Sequence, residues 1–286
     1  MSSPKERNQG NLSSGIKSES LDSPESIIGS PFKIPSIVGR GSGRGFTFDG
    51  LHLPIGWEKA IPDLKQIDWE GFYSFFVAEC EREDLKPGKI SVDRKTGIMT
   101  GITIKNRPEA SIKMANDFDM KDGIYKAENV NDIHTAIRFQ RTSVAFLSRV
   151  NQLIGLKDNY SYIDGRPGQY YSMNLFIPKD ILKGILKMEG SVTNDYYRER
   201  FKMRASNIAG RFGLTANDIH FNSQGIPDSF GIEEGNGCNY YLDPDGRDGT
   251  YHGHNIDTPY QAAVLHGIAS SFINDMIRRS RQNSGV

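Results

Sequence analysis

An α+β fold is predicted, on three observations. Apolar residues recur at three- and four-residue spacing in some segments and alternate in others. Turn residues separate the alternating runs as they do in hairpins. The two kinds of segment interleave without a regular strand–helix–strand rhythm. The expectation is a single compact domain of mixed helices and antiparallel hairpins over residues 46–286, behind a disordered leader over 1–45.

The leader is set apart by composition. It holds 11 Ser, seven Gly and four Pro, and its one aromatic residue is Phe32. Such a segment buries too little apolar surface to offset its ordering entropy. Its last part, 34–46, places glycines at 39, 41, 43 and 45 around Arg40 and Arg44, which reads as a flexible linker. A phosphate-cradling loop would need a strand before it and a helix after it. The first 20 residues contain no apolar core, so no secretory signal peptide is expected.

The body's elements follow in order. Asp68 caps a helix with Trp69, Phe72, Phe76 and Cys80 on its apolar stripe and Glu79, Glu81 and Glu83 outside. Ile90 and Val92 lead into a turn at 93–97, and Ile98, Thr100, Ile102 and Ile104 return as a hairpin. The polar stretch 107–129 reads as irregular. A long helix over 132–154 carries Ile133, Ile137, Val144, Leu147, Val150 and Ile154 on one stripe, with Gly155 as its stop. A half-buried strand over 170–177 ends at Pro178, and a short helix is expected over 180–188. A helix over 193–212 has Tyr197, Phe201, Ala205, Ile208 and Phe212 inside, with Arg198, Arg200, Lys202, Arg204 and Arg211 outside. His220 falls on a strand. The last helix has the strongest signature: Thr258 as cap, Pro259 at its first position and Gln261 completing a T-x-x-Q box.

Composition excludes several classes. Lys plus Arg (35) balance Asp plus Glu (35), so there is no global field for attracting nucleic acid. Two cysteines cannot form a disulfide framework. No stretch approaches the roughly 20 apolar residues of a membrane-spanning helix.

Chemistry concentrates in the segment 228–257, read as a long loop. It holds seven acidic residues against one basic residue, Arg247, together with two of the six histidines, six glycines and Cys238. Loops of this composition on a rigid scaffold are where sites form. His252, His254 and Asp257 make an H-x-H-x-x-D array, in which imidazoles two apart on an extended strand share a face. Either a metal site or a metal-free acid–base pair is compatible with it. Asp243, Asp245 and Asp248 flank a D-P-D-G turn whose spacing departs from the EF-hand rule. Glu234 begins an E-G-N-G run resembling the Fic adenylyltransferase loop, but the histidine before it and the arginine after it are missing, which excludes that family. Cys238 follows Gly-Asn-Gly in an exposed, permissive setting, whereas Cys80 sits on a helix stripe and reads as a buried hydrophobe. His134 and His266 read as structural.

The candidate catalytic residues are therefore His252, His254, Asp257, Glu234 and Cys238. Arg204, Arg247 and Asp245 are the candidate ligand contacts, and the metal and cofactor are open. The basic face at 198–211 and the Arg278, Arg279, Arg281 end are local positive patches able to meet a phosphate-bearing ligand or an acidic surface.

The Ser-rich start, MSSPKERNQGNLSSGIKSES, resembles the leader of bacterial type III secreted effectors over about 25 residues. The resemblance implies a soluble protein delivered into a host cell without a cleaved signal peptide; without it the chain reads as cytoplasmic. Two functions follow as expectations. One is an effector-like enzyme acting by transfer or hydrolysis on a host protein or nucleotide, with its site in 228–257. The other is a non-catalytic interaction protein using the same segment as a recognition surface.

Overall fold

The computed structural model describes residues 34–39, 45–54, 56–116, 123–155, 161–165, 171–177, 182, 194–233, 235–242 and 249–283. Among them are five helices and three antiparallel sheets, an α+β fold. A two-stranded ribbon pairs β1 (Ser36–Gly39) with β2 (Phe46–Asp49). A 3-10 turn at Trp57–Ala60 runs into α1 (Ile61–Leu64), and α2 covers Trp69–Glu81. A meander of β3 (Pro87–Val92), β4 (Met99–Ile104), β5 (Arg107–Asn116) and β6 (Gly123–Glu128) follows. Next come α3 (Ile133–Leu153), β7 (Ser161–Asp164), β8 (Ser172–Ile177) and α4 (Asp195–Gly210). The chain ends with β9 (Ala216–Phe221), β10 (Pro227–Ile232), β11 (Gly237–Leu242), β12 (Gly249–His254) and α5 (Pro259–Asn283). The larger sheet has the order β7-β8-β12-β11-β10-β9.

Local chemistry fixes the helix starts. Asp68 accepts from the Gly71 amide at 2.9 Å, and Asp132 accepts from the Thr135 amide at 2.8 Å. The α5 box is complete: Thr258 Oγ1 accepts from the Gln261 amide at 3.2 Å, and Gln261 Oε1 accepts from the Thr258 amide at 3.0 Å. Gly97 closes the β3–β4 hairpin at φ 76°, where a side chain would lie 2.6 Å from the Leu64 carbonyl carbon.

α5 is the axis of the core. Leu265, Ile268, Phe272 and Met276 are buried as the periodicity requires, and so are Ala262, Ala263, Val264, His266 and Ile273 around the rest of its circumference. A helix apolar on all sides must be covered on all sides, and here β1, α4, β8 and β10 are among the elements packed on it. No helix among the described residues is long and apolar enough to cross a membrane.

Several expectations change. Residues 34–39 are not leader: Ile34 and Ile37 are buried, and Asn274 on α5 binds the Ile34 amide at 2.8 Å. The described residues of 107–129 are largely strand, because β5 and β6 pair over six registers and bury Ala110, Ile112 and Tyr125. The described residues of 228–257 lie largely in three strands, β10, β11 and β12, where a loop is expected. Glu79 and Glu83 point inward, not out, because arginines of α3 meet them. The helix expected over 180–188 lies outside the described residues except for Leu182, which is buried.

Candidate functional site

The described candidate residues of 228–257 do not converge. Strand register assigns their faces, because side chains alternate along a strand and cross-strand partners share a side. Gly237 pairs with His254 and Asn239 with His252, whereas Cys238 pairs with Gly253 and Tyr240 with Tyr251. His252 and His254 therefore share the outer face, as H-x-H spacing requires, and both are exposed. They lean toward different registers of β11: His252 packs 5.6 Å from the Tyr241 ring, and His254 lies over Gly237. Cys238 is on the opposite, inner face and fully buried. Burial pushes its thiol pKa well above the ordinary value, so no thiolate is offered to a substrate. The expected exposed nucleophile is thus a core hydrophobe. Asp257 is exposed beyond β12, and its amide donates to Gln261 Oε1 at 2.9 Å as part of the α5 start. Glu234, Asp245 and Arg247 lie outside the described residues, as does the whole turn 243–248. No group of three or more His, Cys, Asp or Glu among the described residues is placed to hold a metal ion.

Arg204, the remaining candidate, belongs to a different site. α4 and α5 lie antiparallel: Arg204 approaches Ser271 and Asp275, Ile208 approaches Gly267, and Phe212, just past α4, approaches Tyr260. Together with β1 they enclose a groove of about 500 Å³. Arg204, Arg211 and Arg278 line it, along with Ile37, Val38 and Ile208. At its base the buried Asp275 carboxylate binds Arg278, accepts from Arg279 Nε at 3.1 Å and lies 3.6 Å from Arg204. Arg279 is also held over the Tyr197 ring, 4.5 Å from its centre. One carboxylate thus orients three guanidinium groups and neutralises one of them. Arg278 remains more than half exposed, with its side chain at 61%. Asp49 on β2 lines the groove too, so three arginines face two carboxylates there, and the remaining positive charge borders a half-apolar cleft, the arrangement that suits an anion carried on an organic group.

A second ionic cluster was hidden from sequence reading. Arg138 is fully buried on α3 and donates to Glu79 at 2.7 Å, to Glu83 at 3.1 Å and to the Gly165 carbonyl at 3.3 Å. Arg141 adds bonds to Glu79 at 2.7 and 3.2 Å, and Arg82 binds Asp164 at 2.7 Å. His134 Nδ1 lies 2.6 Å from Glu83 Oε2; that hydrogen bond, above all, raises the imidazole pKa above its ordinary 6.5. Close by, burial pushes the Tyr171 phenol up to about 12, with Glu83 adding to the shift. Cys80 is likewise pushed to about 12, by burial and then by Glu79. The cluster ties α2, α3 and β7 together, so His134 is structural, as its place beside an apolar stripe suggests. The signal that could have found it is the stripe His134, Arg138, Arg141, a charged line at helical spacing beside the helix's apolar stripe.

No family model, no curated protein and no solved structure matches this chain.

Proposed function

We propose that this chain is a non-catalytic recognition protein that binds a phosphate-bearing ligand in the groove between α4, α5 and β1. The observation that carries this reading is the meeting of the two basic patches. The outer face of α4 and the last turns of α5 are far apart in sequence, yet Arg204, Arg211 and Arg278 line one cleft over the Asp275 anchor. A hydrogen bond to a charged group contributes about 1.5–3 kcal/mol. Two guanidinium groups pre-oriented on a carboxylate thus suffice for selective anion capture. The catalytic alternative at 228–257 has less support: a thiol and its imidazole partners on opposite faces of a sheet share no substrate.

The test is calorimetric titration of the full chain with pyrophosphate at low and at physiological salt. Saturable binding is expected, weakened by salt and reduced at least tenfold by Arg204→Gln combined with Arg278→Gln. Equal binding by the double variant, or no binding by the parent, refutes the reading. Delivery into a host cell rests only on the resemblance of the leader to type III secreted effectors. Failure of residues 1–45 to export a fused reporter through a type III apparatus would end that part of the proposal.

A further inference from the structure

We infer that the ligand is a nucleotide: a phosphate joined through a sugar to a flat aromatic base. This rests on the anion-binding reading above and concerns the groove's other end. From Arg204 to Phe212 is eight residues of chain, about 12 Å at helical rise. The groove therefore extends well beyond what inorganic phosphate fills. At the end away from Asp275 the groove is lined by the Phe212 ring, which is backed outside the lining by Phe46 at 6.0 Å and Tyr260 at 6.5 Å. Tyr260 is 43% exposed and Phe212 is half-buried, so the ring cluster borders solvent and is open to another ring. Arg211, next in sequence to Phe212, supplies donors there for ring-nitrogen and carbonyl acceptors.

The middle of the groove suits a sugar. Ile208 forms an apolar wall and closely approaches Gly267, where a side chain would lie 3.2 Å from Ile208 Cγ2, so glycine keeps the floor low. Ser271 lines the same stretch and donates its hydroxyl proton to the Ile268 carbonyl at 2.8 Å, leaving its oxygen to accept from a sugar hydroxyl. Cations at one end, a hydroxyl acceptor between and an aromatic ring at the other end follow the order phosphate, ribose, base. A phosphotyrosine side chain, with its phosphate directly on the ring, cannot reach both ends.

The experiment is calorimetry on the full chain with AMP, UMP, ribose 5-phosphate, phenyl phosphate and inorganic phosphate. The nucleotides are expected to bind about tenfold or more tighter than ribose 5-phosphate, the scale of one base–aromatic stack. Phe212→Leu, which removes the ring that lines the groove, is expected to bring nucleotide affinity down to that of ribose 5-phosphate. The variant's circular dichroism and melting temperature serve to show that it is folded. Nucleotides and ribose 5-phosphate binding alike would overturn the inference while leaving the anion-binding reading intact. Phenyl phosphate binding as tightly as AMP would also overturn it. No binding by any of the five, inorganic phosphate included, would overturn both.

Discussion

Arg138→Met should be among the most destabilising single changes in this protein. The side chain is fully buried, and methionine is similar in length without the charge, so the substitution isolates the ionic contribution better than alanine would. Three acceptors lose a donor. Glu79 keeps Arg141 at 2.7 Å and Arg82 at 3.5 Å, so its loss is small. Glu83, 1% exposed at its side chain, keeps only His134 among the described residues, and the Gly165 carbonyl loses a bond of 3.3 Å. Breaking one side of a buried pair costs about 3–5 kcal/mol, because the remaining charge stays desolvated. Against a typical total of about 5–15 kcal/mol, that is a large share. The assay is urea denaturation followed by circular dichroism, with the midpoint compared at constant slope. A double-mutant cycle with Glu83→Gln then tests the cause. If Glu83 is what Arg138 compensates, the double variant recovers part of the loss, with a coupling above about 1 kcal/mol. A single-variant loss below about 1 kcal/mol, or a cycle that closes additively, would show that the network is not what joins α2 to α3.

Three further predictions rest on named groups. His134, raised by its Glu83 bond, should contribute stability that is fully present below pH 6.5 and lost as pH climbs through its higher folded pKa. His266, buried and pushed down to about 3, should do the reverse, so that stability falls between pH 6.5 and 3 as the unfolded chain takes up a proton first. Urea midpoints from pH 3 to 9 should therefore peak near pH 6.5, with His134→Gln flattening the alkaline side and His266→Phe the acid side; a peak unmoved by either variant refutes the assignment. Thr258→Ala should cost about 1 kcal/mol by removing the acceptor for the Gln261 amide, read from the same denaturation curve, and a neutral outcome would show that the box is ornamental. Both cysteines should resist a thiol reagent in the native state and react only on unfolding, and rapid native labelling of Cys238 would restore it as a nucleophile.

What the sequence made legible was chemistry completed within a few residues. The α5 box spans Thr258 to Gln261, and the caps at Asp68 and Asp132 act three residues ahead. Each can be read without knowing the fold. β1 could not be read this way, because glycine and serine neighbours dilute its Ile37 and Val38, and Asn274, which binds Ile34 just before the strand, lies 240 residues away. Glu79 was placed outside because unpaired carboxylates belong in water. Arg138 and Arg141, 59 and 62 residues on, make its burial tolerable. The strands of 228–257 carried a period of two in Cys238 and Tyr240 against Asn239 and Tyr241. Glycine and aspartate density was the louder signal and favoured a loop. For the site, each basic patch was visible singly, but their meeting needed the antiparallel packing of α4 on α5.

The two arginine clusters, similar in residue type, separate by charge balance. Around Arg138 three arginines, 82, 138 and 141, meet three carboxylates, Glu79, Glu83 and Asp164. Charge is balanced, the central groups are dry and every arginine bridges helix to helix or helix to strand. Such a cluster holds the structure together and attracts nothing from solvent. Around Asp275 three arginines, 204, 278 and 279, share one carboxylate, and Arg211 lines the same cleft. Asp49 on β2 also lines the cleft, so its lining sets three arginines against two carboxylates, and the like charges held together there still repel. An anion from outside would relieve the remaining positive charge, and its binding would in turn stabilise the fold by mass action. A melting temperature that rises with added nucleotide in the parent but not in the Arg204→Gln, Arg278→Gln chain would follow from that imbalance alone.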